Sequence, residues 1–113
     1  MIRTFIQTTE FSNRWYELGL DDEDLRHLEL EILNNPKAGV VIPGTGKLRK
    51  MRFAVQGRGK SGSLRICYVD FVMAETIYLI TVYAKNQKDN LSKAECNSIK
   101  SMIEILEKHL KSL

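Results

Sequence analysis

Eight basic side chains, Lys37, Lys47, Arg49, Lys50, Arg52, Arg58, Lys60 and Arg65, fall between residues 32 and 69, and no acid stands among them. The flanks differ: residues 1–31 carry eight acids and three bases, and residues 70–113 carry six of each. The formal charge of +3 therefore hides a strongly basic middle third. Unneutralised positive charge attracts polyanions and steers their approach, whereas a merely solvated face mixes both signs. Two chemistries fit. One is a phosphate-binding surface whose long side chains lie partly over a sheet. The other is RNA cleavage by cyclisation, in which a 2′-hydroxyl loses a proton, a phosphorane is stabilised and a 5′-oxygen regains a proton. Crowded cations can replace histidine there. Like charges lower a lysine's pKa, and a guanidinium fork grips phosphorane oxygens. Composition leaves both chemistries open.

Other machinery is poorly supported. Gly57-Arg58-Gly59-Lys60-Ser61-Gly62 spells the dinucleotide fingerprint, but that motif needs a strand before it and a helix after it. Here a strand follows, so no nucleotide cofactor is expected and the glycines read as a hairpin connection. His27 and His109 are isolated on helical stretches, without a metal-ligand spacing. Cys67 and Cys96 form no CxxC pair and no disulfide framework, which points to a reducing, cytoplasmic setting with both thiols acting as small apolar residues. No metal site is expected. No apolar run approaches the ~20 residues of a membrane helix, so no membrane partner is expected.

The chain of 113 residues is expected to form a single domain over 1–113. Residues 2–8 alternate as a strand does. Thr9 is placed to cap a short helix carrying Phe11, Trp15 and Leu18, which Gly19 stops. Asp21 caps a second helix, whose first turn carries Asp22, Glu23 and Asp24 against the dipole. Leu20 and Leu25 occupy staple positions, and Leu25, Leu28 and Ile32 make an apolar stripe. Residues 38–46 read as a loop with a short extended piece. Residues 47–55 alternate: Met51 and Phe53 face one way, Lys50, Arg52 and Ala54 the other. Residues 63–72 and 76–84 complete an antiparallel meander, with 76–84 apolar enough to be its central strand. Ser92 and Glu95 form a capping box before a long amphipathic helix.

The stretch Gly44-Thr45-Gly46-Lys47-Leu48-Arg49-Lys50-Met51-Arg52, the turn 57–62, Arg65 with Tyr68, and residues 83–92 (YAKNQKDNLS) together resemble the RelE/HigB superfamily of type II toxins, most closely its HigB-type branch. The resemblance spans nearly the whole chain. It implies an α+β, microbial-RNase-like fold in the order β-α-α-β-β-β-α, an antiparallel sheet packed by an N-terminal helical hairpin and a C-terminal helix. It implies ribosome-dependent, metal-independent cleavage of mRNA in the A site. It also implies a cognate helix-turn-helix antitoxin of the HigA type. The family's paired bases on the first meander strand match Lys50 and Arg52, its arginine on the next strand matches Arg65, and its base after the last strand matches Lys85, with Lys88 behind.

On that carry-over Arg52 and Arg65 clamp the scissile phosphate, Lys50 or Lys85 moves protons, and Lys47, Arg49, Arg58, Lys60 and Lys88 hold ribosomal RNA or mRNA. RelE's tyrosine near the start of the last helix has no counterpart, because Leu91 and Ser92 stand there. Tyr83 and Tyr68 are the substitutes, although strand burial makes core residues of both. Two other functions remain compatible: ParE-type toxins inhibit DNA gyrase on the same fold, and an RNA-binding module needs the cations without the chemistry.

Overall fold

The computed structural model describes residues 2–55 and 63–112. The chain runs β1 (Thr4–Gln7), α1 (Thr9–Glu17), α2 (Asp22–Asn34), β2 (Val40–Val41), β3 (Arg49–Ala54), β4 (Ser63–Phe71), a single 3-10 turn (Val72–Ala74), β5 (Thr76–Ala84) and α3 (Lys93–Lys111). The strands form one sheet in the order β1-β5-β4-β3-β2. The expected antiparallel meander is present as β3, β4 and β5. The sheet as a whole is mixed, because β1 joins the edge of β5 in parallel, with Thr4 opposite Thr76. The extended piece after α2 becomes the two-residue edge strand β2, paired with Lys50 and Arg49.

Two apolar layers hold this sheet. On one face Phe11 and Trp15 of α1 and Leu25, Leu28 and Ile32 of α2 pack on Met51, Phe53, Leu64, Ile66, Tyr68, Leu79 and Val82. Phe11 stacks on Trp15 at 5.4 Å, and Trp15 on Phe53 at 6.3 Å. On the other face Ile99 and Ile103 of α3 cover Leu48, Cys67, Val69, Phe71, Ile80 and Tyr83. The helix starts follow from local chemistry. Thr8, one residue before the expected cap, accepts the amide of Phe11 at 3.0 Å. Asp21 and Asp24, like Ser92 and Glu95, cap reciprocally. Gly19 takes the left-handed conformation (φ 80°) that the turn between α1 and α2 requires.

One strand irregularity matters later. Cys67 lies opposite Thr81 but Tyr68 lies opposite Leu79, so Ile80 is an extra residue on β5. This is a β-bulge.

Tyr68 fastens the loop after α2 to the sheet. Its hydroxyl donates to the Pro36 carbonyl at 2.8 Å and accepts the Gly39 amide at 3.1 Å. A Cβ on Gly39 would meet the Tyr68 hydroxyl and the Arg49 Cβ at 3.0 Å, so any larger residue would need these neighbours to give by a few tenths of an ångström. Removing the hydroxyl strands a buried N–H and a carbonyl. Tyr68→Phe is therefore expected to lower unfolding stability by about 1–3 kcal/mol, read as a shift in urea midpoint at unchanged m-value. An unchanged midpoint would show that water satisfies both groups.

Candidate active site

The alternation of β3 sorts its side chains. Met51 and Phe53 are 8% and 4% exposed and belong to the α1/α2 layer. Arg52 and Ala54 are exposed on the α3 side, and Lys50 is half-buried there. Strand register then extends the pattern across the sheet. Arg52 lies opposite Arg65, and Arg65 opposite Tyr83, giving a row across three strands. The neighbouring row is Lys50, Cys67 and Thr81. Beyond the arginine row, Ala54 lies opposite Ser63, and the Lys85 amide donates to the Ser63 carbonyl at 3.3 Å. Lys85 thus leaves β5 at the mouth of the arginine row, with its side chain exposed.

Among the described residues neither arginine is paired with an acid. Arg65 donates to Ser63 Oγ at 3.1 Å and touches the Leu64 carbonyl at 3.5 Å. Lys50 donates to Asn90 Oδ1 at 3.0 Å, reaching the loop between β5 and α3. From that loop Lys88 donates to Glu95 Oε2 at 2.6 Å, and its ammonium stands 5.2 Å from the centre of the Tyr83 ring. The second Glu95 oxygen accepts the Ser92 amide at 2.8 Å, completing the cap of α3. The Lys88 hydrogen bond, helped by that amide, holds the Glu95 carboxyl below its ordinary pKa.

Tyr83 and Cys67 form the floor. Burial pushes both the phenol and the thiol up to about 12, so both are protonated at neutral pH. The thiol is therefore not a nucleophile. Tyr68 is occupied by Pro36 and Gly39 on the opposite face, whereas Tyr83 has no such bonds.

The structure thus gathers Lys50, Arg52, Arg65, Lys85 and Lys88 around one surface. It separates the others. Arg49 shares the parity of Met51 and donates to the carbonyls of Gly39 at 2.7 Å and Lys37 at 3.4 Å. Lys47 is paired with Glu107 on α3. Arg58 and Lys60 lie outside the described residues, as does the turn 57–62. Sequence reasoning missed Asn90, which offered no signal, and treated Glu95 only as a helix cap. Among the described residues no metal-ligand set of His, Cys, Asp and Glu converges, and no helix is long and apolar enough to cross a membrane.

The described residues thus form a mixed sheet covered on both faces, with a cationic row at the end of its meander. The family model described as the RelE toxin of the RelE/RelB toxin–antitoxin system matches residues 5–112. The chain belongs to the RelE toxin family, the toxin half of a toxin–antitoxin pair. Its fold is similar to that of a doubly substituted RelE toxin from E. coli in the free state, with a TM-score of 0.55 and 16% identity over 79% of this chain and 90% of that one.

The depressed pKa of Glu95 has a stability consequence. A carboxyl whose folded pKa lies below its unfolded one adds stability above the ordinary carboxylate range and loses it as pH falls through the folded pKa. Glu95→Gln should therefore melt below the wild type near neutral pH, with the gap closing as pH falls below the ordinary carboxylate range. Thermal unfolding followed from pH 7 downward checks this, and a gap independent of pH would contradict it.

Proposed function

We propose that the chain is a ribosome-dependent endoribonuclease that cleaves translated mRNA, of the HigB-type branch, and that a helix-turn-helix antitoxin of the HigA type restrains it. The observation that carries this reading is the pair Arg52 and Arg65, opposed on neighbouring strands with no acid between them and flanked by Lys50 and Lys85. A phosphodiester entering this row would meet two guanidinium forks able to hold its non-bridging oxygens as charge builds on them. The reaction is an in-line transfer. The 2′-oxygen forms a bond to phosphorus as the bond from phosphorus to the 5′-oxygen breaks, leaving a 2′,3′-cyclic phosphate. One proton leaves the 2′-hydroxyl and one reaches the 5′-oxygen.

Lys50 and Lys85, on opposite sides of the arginine row, are the groups we assign to those two proton transfers. Lys88 holds RNA beside them. Arg58 and Lys60 complete the grip on ribosomal RNA or mRNA. Lys47 and Arg49 contribute positive field to the approach of RNA, since their side chains are engaged with Glu107 and with backbone carbonyls.

Inducing the toxin in cells and mapping mRNA ends by primer extension is expected to reveal new cuts inside translated codons. Arg65→Lys keeps the charge but loses the fork, and Arg52→Ala loses both. Each is expected to reduce cutting by about 100-fold or more. Growth arrest without cuts, accompanied by inhibition of purified DNA gyrase, would replace this reading with the gyrase one.

A further inference from the structure

Tyr83 is 1% exposed, and its hydroxyl is the single buried side-chain polar atom without a hydrogen bond among the described residues. It belongs to the apolar layer that includes Cys67, Ile99 and Ile103, with the Lys88 ammonium 5.2 Å from the centre of its ring. A phenylalanine would fill that layer equally well and would leave no donor stranded. The hydroxyl is thus a feature that packing does not explain. Its place in the register is informative, because Tyr83 is the third member of the row that begins with Arg52 and Arg65.

We propose that Tyr83 Oη donates a hydrogen bond to a phosphodiester oxygen of bound single-stranded RNA, and that in the free protein the Lys88 side chain, held by Glu95, covers it. The proposal rests on the nuclease reading of the same site and adds a substrate contact to it. Burial keeps the phenol neutral, so it shares a proton and takes none. The cover is easily moved. Lys88 and Glu95 are 29% and 36% exposed, and such a solvated ion pair is weak. A phosphate beside Arg65 competes with Glu95 for the Lys88 ammonium. Once Lys88 turns toward the phosphate, the face of the row beneath it opens. The arriving anion then finds a donor that has no other acceptor.

The test is Tyr83→Phe, in purified toxin assayed on ribosomes carrying a defined mRNA, beside thermal unfolding of the free protein. Affinity is measured in parallel for an RNA oligonucleotide carrying a 2′-deoxy residue at the cut site, which cannot cyclise. The expected result is a melting temperature equal to or above the wild type, with cleavage and oligonucleotide affinity both reduced about tenfold or more. Wild-type cleavage and affinity in the variant would overturn the proposal. So would a fall in melting temperature that parallels the loss of activity, since that marks a packing role. Wild-type protein that leaves mRNA uncut would sink the nuclease reading alone. Tyr83 would then be judged by the oligonucleotide, where a tenfold loss supports the contact and an unchanged affinity overturns it.

Discussion

Arg52 and Arg65 repel each other. They sit directly opposite on β3 and β4, and like charges in that position destabilise a sheet. Among the described residues no acid relieves them, and Arg65 has a serine hydroxyl and a carbonyl. What keeps them together is the opposite face. Met51 and Phe53 alternate with Lys50 and Arg52, and a slip of one residue would turn the apolar pair into water and the cations into the α1/α2 layer. The stack of Phe11, Trp15 and Phe53 therefore holds the arginines at a spacing they would not adopt unaided. The core stores an electrostatic conflict that a bound anion would relieve.

The third member of the row is there because of the bulge in β5. Leu79 belongs to the α1/α2 layer, as do Val82 and Ala84, while Ile80 and Tyr83 belong to the α3 layer. Strict alternation from Leu79 would send Tyr83 to the α1/α2 side. The extra residue, Ile80, reverses the phase and brings Tyr83 beside Arg65. The same reversal places its ring beside the ammonium of Lys88, which Glu95 in the first turn of α3 holds. A single inserted residue thus joins the end of the sheet to the start of the last helix.

These facts differ in how well the residues announce them. β3 was legible because one of its faces is wet, so its alternation is written in charge. The caps of α2 and α3 were legible because capping depends on residues three apart. The bulge was not, since 76–84 is apolar at nearly every position and both phases look alike. The parallel pairing of β1 was hidden too, because a four-residue edge strand has little pattern and its partner lies about seventy residues on. Charge composition also overcounted the site. Lys47 and Arg49 belong to the same basic run as Lys50 and Arg52, yet parity and a partner on α3 divert them. Tyr68 and Tyr83 are the sharpest case. Burial makes both core residues, and only the bonding of their hydroxyls tells a loop fastener from an unused donor.

Among the described residues the site carries two local defects, a pair of guanidinium groups without an acid and a buried hydroxyl without a partner. Each costs stability alone, and each is of the kind that a phosphate relieves. Both lie in one row, so one ligand can relieve both at once. The ion pair of Lys88 and Glu95 lies beside the Tyr83 ring, and it is anchored through the cap of α3. Glu95 binds that cap with one oxygen and Lys88 with the other. Losing Lys88 to an incoming anion therefore costs the helix little, because the oxygen bound to the Ser92 amide stays in place. The arrangement lets the site change partners while the helix that roofs it stays folded. That separation suits a surface that must be stable when empty and gain most of its polar contacts from what it binds.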